Sequence, residues 1–257
     1  MTLTKNIRTL NKKGYLILNN IFSKKQTASI KLKLDKILSD RIKNKKVVGH
    51  HDSQVMYNYF VDDKTLLNLI CISKVDLILK KVLEPNYVMQ SSNAQNRIKG
   101  KIDKKIPLTK KYKLGSKWHT DSRYLNGQRL DKGFSYLVII ALDEFTKLNG
   151  STKYIENSVN FRSKPKRILN MKYKELIMNE GSVCIMDTGI WHKAGKSTFK
   201  SRWSVFSIYT GWFVKPYYNY LSFINKNKIS KKYKKLLHFY SRPPEINEHR
   251  PTVTKIK

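Results

Sequence analysis

The chain has 257 residues, of which 40% are hydrophobic, and this length and apolar content suffice to bury a core and exclude a largely disordered protein. Its 52 Lys and Arg residues against 18 Asp and Glu residues give a formal net charge of +34, which by itself favours a polyanion as partner. Only 10 of the basic residues are Arg, the side chain that base recognition prefers, and they are spread along the chain. The chain has 24 Ile and 20 Asn but only 4 Ala, as an A/T-rich coding sequence would give. We therefore interpret the charge as a lysine-coated surface and do not predict a nucleic-acid partner.

Three features bear on the cellular compartment. The basic N-terminus contains no apolar stretch of signal-peptide length. The longest apolar run, residues 136–142, falls far short of the roughly 20 residues that cross a bilayer. Cys71 and Cys184 are too few and too far apart for a disulfide framework or a cysteine metal cluster, which indicates a reducing compartment. We expect a soluble, cytoplasmic protein without a membrane partner.

The first third of the chain is predicted to be mainly helical. Residues 14–18 form a short strand, and Ser23 is a typical N-cap for a helix whose apolar residues recur at helical spacing. We expect a basic loop over residues 41–54 and a second helix over residues 63–83, which Pro85 ends.

Short apolar runs bounded by turn residues predict strands further along the chain. The expected strands are residues 86–93, 117–124, 134–142, 152–156, 182–187 and 202–212. A long basic connection over residues 99–116 is typical of a lid, and a last helix is expected over residues 218–237. This order favours one α+β domain with a mainly β core: a jelly roll over about 86–213, N-terminal helices over about 23–83, and a C-terminal helix and tail over about 217–257.

The segment Lys117-Trp118-His119-Thr120-Asp121 contains the motif that indicates chemistry. On a strand, His119 and Asp121 would project from the same face and form a chelating pair. His192 follows an apolar strand and is the best third ligand, whereas Asp187 is interpreted as a turn-capping carboxylate. Two His and one carboxylate form the facial triad of non-haem Fe(II) oxygenases.

A predicted anion receptor follows the second histidine. Arg202 lies ten residues after His192 at the start of a strand, and Ser204 would project from the same face. A guanidinium fork beside a hydroxyl group is well suited to a carboxylate. Arg123 shares the expected face of Asp121 and is a candidate contact for an anionic substrate.

At this point the sequence resembles the phytanoyl-CoA dioxygenase family of Fe(II)- and 2-oxoglutarate-dependent oxygenases. Four segments carry the resemblance over about residues 10–213: GYLILNNIFSKKQTASIKLKLDKIL, WHTD, VIIALDEFTKLNGSTKYIENS and EGSVCIMDTGIWHKAGKSTFKSRWSV. Glu156-Asn157-Ser158 departs from the family's usual Gly-Ser-His at that position, which puts a substrate role of this loop in doubt.

The resemblance implies a double-stranded β-helix, which is a jelly roll, with flanking helices. It implies Fe(II) on His119, Asp121 and His192, and 2-oxoglutarate as co-substrate with its distal carboxylate on Arg202, assisted by Ser204. Gln90, Asn93 and Asn96 are candidates for a further co-substrate contact, with Gln90 placed first.

The resemblance also implies a reaction. Related halogenases have a small residue in place of the carboxylate ligand, so Asp121 favours hydroxylation. The expected reaction uses O2, hydroxylates a small or medium metabolite, and gives succinate and CO2 as co-products. Two alternatives remain: a cupin-like metal enzyme that does not use 2-oxoglutarate, and a basic module that binds polyanions.

Overall fold

The computed structural model describes residues 2–50, 53–98, 110–112, 117–122, 124–125, 128–129, 133–163, 165–196 and 201–237. Its α-helices are α1 Leu3–Lys13, α2 Lys24–Lys43, α3 Ser73–Val82, α4 Leu221–Lys226 and α5 Lys231–Leu236. Its strands are β1 Tyr15–Leu18, β2 Val48–His50, β3 Ser53–Tyr57, β4 Val88–Arg97, β5 Lys110–Tyr112, β6 Tyr124–Leu125, β7 Gln128–Arg129, β8 Ser135–Ala141, β9 Lys153–Tyr154, β10 Lys174–Glu175, β11 Val183–Asp187, β12 His192–Lys193 and β13 Arg202–Thr210. Short 3-10 helices occupy Tyr59–Val61, Lys64–Ile70, Ser158–Asn160 and Ile168–Asn170.

The main sheet has eight described strands in the order β1-β11-β8-β13-β4-β3-β2-β5. Neighbouring strands are antiparallel except for the parallel pair β2 and β5. Every residue of β8 is buried, because the sheet is covered on both faces. Leu137 and Ile139 project to one side, and Val138 and Ile140 project into a separate core on the other.

The second sheet is small and lies over the face of the main sheet that carries Leu137 and Ile139. Its strands have the order β10-β9-β12, and a backbone bridge between His119 and His192 adds one more segment beside β12. Phe145, Tyr154 and Leu176 from this side pack against β8 and β11. Two facing, mostly antiparallel sheets with helices outside them confirm the predicted jelly roll.

The helices cover the other face of the main sheet. The predicted N-cap of α2 is correct: Ser23 Oγ accepts from Gln26 N, and the Gln26 side chain accepts from Ser23 N, which is a capping box. Ile30, Leu34 and Ile37 on α2 pack into the core that also contains α3 and the 3-10 segment Lys64–Ile70.

Two N-terminal regions differ from the sequence prediction. Helix α1 was not expected; Thr2 caps its N-terminus and Gly14, at φ 79°, ends it. The predicted loop over residues 41–54 is wrong, because β2 and β3 form there and bury Val55 and Met56. Lysines and a glycine in this stretch hide the alternation of its apolar residues.

Three other predicted elements are divided or shifted. The expected helix over residues 63–83 is broken at Cys71, between a 3-10 helix and α3. The expected C-terminal helix is two short helices, α4 and α5. Of the expected lid over residues 99–116, β5 is described and most of the remainder, like the tail after residue 237, lies outside the described residues.

In the part of the chain that the structure describes, no helix is both long enough and apolar enough to span a membrane. Cys71 and Cys184 are free thiols, and burial raises the pKa of Cys184 to about 12. Cys184 is therefore protonated and unreactive in the folded chain at neutral pH.

Gly181 provides a test of how tightly the turn before β11 is packed. Its φ is +78°, and a Cβ there would lie 2.1 Å from the carbonyl oxygen of Phe22. The Gly181 carbonyl accepts hydrogen bonds from Ile21 N and Phe22 N, each 3.0 Å long, so the two segments cannot separate freely. We expect Gly181→Ala to lower the free energy of unfolding, measured by urea denaturation, by about 3 kcal/mol or more.

Gly133→Ala is the matched control. Gly133 has a similar φ of +82°, but a Cβ there would meet only the end of the Tyr136 side chain, at 3.2 Å. We expect Gly133→Ala to lower the free energy of unfolding by about 1 kcal/mol, from the backbone conformation alone. Equal losses for the two variants would contradict the packing argument.

Candidate metal centre

The two candidate histidine ligands are paired through their backbones. His119 N donates to His192 O at 3.0 Å, and His192 N donates to His119 O at 2.9 Å. Directly opposed residues in an antiparallel pair project from the same face. The two imidazole rings consequently lie side by side, with centroids 4.4 Å apart.

Asp121 reaches the histidines from a bend, and the expected strand over residues 117–124 is wrong. His119 makes only an isolated bridge, and the chain then turns so that Asp121 N and Ser122 N both donate to Thr188 O, at 3.0 and 3.1 Å. The Asp121 carboxylate lies 3.9 Å from His119 Nε2 and 3.7 Å from His192 Nε2. The expected proximity of His119 and Asp121 is present, but a turn produces it rather than strand alternation.

Both rings are oriented by their second nitrogen. His119 Nδ1 lies 2.8 Å from the carbonyl oxygen of Lys117, and His192 Nδ1 lies 2.9 Å from that of Ile190. Each Nδ1 therefore carries the proton and donates it, which leaves the Nε2 lone pair directed at Asp121. Burial and the neighbouring His192 lower the pKa of His119 below its ordinary value, against an opposing effect of Asp121, so the neutral imidazole is favoured.

The chemistry of this donor set fits iron(II). One ligand atom from each of His119, Asp121 and His192 can be chosen so that all three lie within 4.8 Å of one another. Two neutral imidazoles and one carboxylate make up the 2-His-1-carboxylate set of non-haem Fe(II) enzymes, which leaves coordination positions open for other molecules.

A cavity of about 730 Å³ opens between the two sheets at this centre. His119, Asp121 and His192 line one side of it. Alternate residues of β4, β8 and β13 line the opposite side of the cavity. They are Ser91, Asn93, Gln95 and Arg97 on β4, Leu137 and Ile139 on β8, and Arg202, Phe206 and Ile208 on β13. A volume of this size is typical of a small-molecule site.

Arg202 is buried in this cavity at 2% exposure. Its Nη2 donates to the carbonyl oxygen of Gly150 at 3.2 Å, and its guanidinium carbon lies 3.5 Å from the centroid of the Phe145 ring. Ser204 lies between Arg202 and Phe206 on the same face of β13, with an exposure of 1%, and is not itself part of the described cavity lining. Ser204 Oγ has no hydrogen-bond partner among the described residues, which suits a ligand oxygen next to Arg202.

The structure disfavours Gln90 as the further contact. The pairing of β4 with β13 shifts register between Ile208 and Tyr209, so Gln90 is an extra residue in a bulge, and it is absent from the described cavity lining. Asn93 lines the cavity and accepts from Gln95 Nε2 at 2.9 Å. Asn96 projects from the opposite face, toward Gln54.

Other residues named from the sequence have structural positions or are not described. Asp187 accepts from Gly189 N at 2.7 Å and from Gly133 N at 2.8 Å, as expected of a turn-capping carboxylate. Ser158 Oγ accepts from Trp191 N at 2.9 Å, so the 156–158 loop supports the segment that carries His192. Arg123 lies outside the described residues.

Sequence reasoning missed several polar residues of the cavity, among them Gln95, Arg97 and Ser53. Arg97 follows Ser91, Asn93 and Gln95 at intervals of two, and a strand prediction extended past residue 93 would have placed it on their face. Ser53 has no such signal, because its strand was predicted as a loop.

The sequence matches the phytanoyl-CoA dioxygenase (PhyH) family over residues 10–203, most of the chain. The chain belongs to this family and is a non-haem iron- and 2-oxoglutarate-dependent enzyme, as the sequence motifs predicted. Comparison with curated proteins found no match.

Solved structures with the same fold include three enzymes. HygX from Streptomyces hygroscopicus, with nickel, 2-oxoglutarate and hygromycin B bound, is 12% identical with a TM-score of 0.64 over 85% of this chain and 90% of that chain. The epimerase SnoN, in complex with Fe3+, alpha-ketoglutarate and nogalamycin RO, is 12% identical with a TM-score of 0.62. The match covers 83% of this chain and 86% of SnoN. The carbocyclase SnoK from nogalamycin biosynthesis is 14% identical with a TM-score of 0.62. The match covers 88% of this chain and 92% of SnoK.

The two neighbouring carboxylates provide a matched test of the ligand set. We expect Asp121→Asn to weaken binding of Ni(II), used as a redox-inert substitute and measured by calorimetry, by about 10–100-fold, because a charged donor is lost. Asp187→Asn, which changes only a turn cap, should bind Ni(II) like the wild type. The reverse order of effects would contradict the assignment of the carboxylate ligand.

Proposed function

We propose that the protein is an Fe(II)- and 2-oxoglutarate-dependent dioxygenase that hydroxylates a small or medium metabolite. The observation that carries the proposal is the convergence of His119, Asp121 and His192 in a cavity that also holds the buried Arg202. When bound, iron and 2-oxoglutarate together supply the oxidation: O2 and 2-oxoglutarate are consumed, one oxygen atom is added to the substrate, and succinate and CO2 are released.

We assign His119, Asp121 and His192 to the iron, through the two Nε2 atoms and the carboxylate. The hydrogen bonds of their Nδ1 atoms to backbone carbonyls fix both the tautomer and the orientation of the rings, so the site needs little rearrangement to accept the metal. A carboxylate at Asp121 supports hydroxylation rather than halogenation.

We assign Arg202 and Ser204 to the distal carboxylate of 2-oxoglutarate. The ring of Phe145 and the carbonyl of Gly150 hold the guanidinium in place before the co-substrate arrives. Because the guanidinium is buried, a bidentate pair with a carboxylate would be stronger here than at the surface. We replace Gln90 by Asn93 and Gln95 as the candidates for further polar contacts, since both line the cavity.

The remaining walls favour exclusion of water from the reaction. Leu137, Ile139, Phe206 and Ile208 form an apolar surface across β8 and β13. A water-poor cavity would strengthen each polar interaction inside it and would keep water away from the reacting groups.

We further propose that one domain, spanning residues 1–257, carries this activity in the cytoplasm, with a small-molecule substrate and O2 as its partners and no nucleic-acid partner. The free thiols Cys71 and Cys184 support a reducing compartment. The solved structures of HygX and SnoN, which hold small molecules, support a small-molecule substrate.

Formation of succinate from 2-oxoglutarate tests the proposal. With Fe(II) and O2, we expect the wild type to form succinate and His119→Ala to form none, because the metal is lost. Arg202→Met should raise the KM for 2-oxoglutarate by about 100-fold, since it removes one partner of a buried charge pair.

Arg162→Met is the control, because Arg162 is exposed and does not belong to the described cavity lining. It should leave the KM unchanged. If Arg202→Met also left the KM unchanged, the assignment of Arg202 to the co-substrate would be wrong. A wild type that binds iron but forms no succinate from 2-oxoglutarate would favour the cupin-like alternative.

A further inference from the structure

The floor of the cavity carries a polar row across three adjacent strands. In the sheet register, Arg97 on β4 is paired with Arg202 on β13 on one side and with Ser53 on β3 on the other. All three residues line the cavity. Side chains at directly opposed positions are about 5 Å apart at Cβ, so the cavity presents two neighbouring guanidinium groups.

The two arginines are held by loops that touch each other. Arg97 Nη1 donates to Gly195 O at 2.7 Å, and Arg202 Nη2 donates to Gly150 O at 3.2 Å. Gly195 lies so close to the 150–151 segment that a Cβ on it would be 2.2 Å from Ser151 O. Both guanidinium groups are therefore fixed at the same end of the cavity.

Ser53 provides an independent indication of a ligand. Its exposure is 1%, and its Oγ has no hydrogen-bond partner among the described residues. Burying a hydroxyl group without a hydrogen-bond partner is unfavourable, and a ligand oxygen would offset this cost. Arg97 thus has a buried serine hydroxyl opposite it on the neighbouring strand, as Arg202 has Ser204 two residues along its own strand.

The charged side chains of the cavity indicate the sign of the ligand's charge. The described lining contains three cationic side chains, Arg97, Lys117 and Arg202, and one carboxylate, Asp121. Iron(II) and the 2-oxoglutarate dianion cancel each other, so the described part of the lining keeps an excess of cationic side chains. Burying cationic side chains together is unfavourable, and an anionic group on a further ligand would reduce this electrostatic cost.

We infer that Arg97 and Ser53 form a second anion subsite, which holds a carboxylate, phosphate or sulfate group of the substrate while Arg202 and Ser204 hold the co-substrate. This inference rests on the proposed function and adds the substrate class to it. The rest of the substrate would lie against the apolar wall of Phe206 and Ile208 and the rings of Tyr57, Tyr217 and Tyr218. The substrate is therefore an organic anion with an apolar or ring-shaped body.

Calorimetry on the Ni(II)-loaded protein, saturated with 2-oxoglutarate, tests the subsite without turnover. The probes are phenyl phosphate and benzoate, with benzyl alcohol as the neutral counterpart. We expect at least one anion to bind, and benzyl alcohol to bind about 10-fold more weakly or not at all. Arg97→Met should weaken anion binding by about 10-fold or more, and Ser53→Ala by about 5-fold.

Affinity for 2-oxoglutarate, measured on the same variants, separates the two anion sites. Arg97→Met and Ser53→Ala should leave it unchanged, whereas Arg202→Met should weaken it. If Arg97→Met weakened 2-oxoglutarate binding as much as Arg202→Met does, Arg97 would belong to the co-substrate and the inference would be wrong. If Arg97→Met did not fold, the result for Ser53→Ala, which removes a single hydroxyl, would decide.

The outcomes also distinguish this inference from the proposed function. A wild type that binds 2-oxoglutarate but neither anion would overturn the second subsite and leave the proposed function standing. A wild type that binds anions in an Arg97-dependent manner but not 2-oxoglutarate would support the subsite and overturn the proposed function.

Discussion

Two backbone hydrogen bonds between His119 and His192 set the geometry on which the candidate metal centre depends. They join residues far apart in sequence, and they place both imidazoles on one face before any metal is present. The turn after His119, held by the Thr188 carbonyl, then brings Asp121 to the open side of the pair. Because the backbone forms these bonds, the ligand arrangement belongs to the fold rather than to the metal.

The jelly roll surrounds this centre with two kinds of surface. One end of the main sheet presents buried arginines and serines, and the other presents leucine, isoleucine and phenylalanine side chains. Such a division separates binding of charged groups from exclusion of water. The same sheet is covered on its opposite face by helices, which makes its strands rigid enough to hold the polar row in register.

The sequence allowed prediction of the parts of the site that repeat a local pattern. The residue types His119, Asp121 and His192 indicated a candidate facial triad, although a turn and not strand alternation brings Asp121 to the histidines. Arg202 and Ser204 share a face of β13, as strand alternation predicted. Long-range features were not predictable in the same way: Ser53 faces the cavity only because β3, whose start was predicted as a loop, pairs with β4. Gln90 is left out of the pairing of β4 with β13, whereas Ser91, Asn93, Gln95 and Arg97 line the cavity. Helix α1 was missed because its ends are marked only by Thr2 and Gly14, which are common outside helices.

Iron and 2-oxoglutarate are expected to bind together at this centre, and a visible absorption spectrum can show whether they do. Fe(II) is added without oxygen to the metal-free protein, with and without 2-oxoglutarate, and the visible absorption is recorded. We expect a metal-to-ligand charge-transfer band that requires both Fe(II) and 2-oxoglutarate and is lost or severely weakened in Arg202→Met. If iron bound stoichiometrically but gave no such band with 2-oxoglutarate, the assignment of the co-substrate to this centre would be wrong.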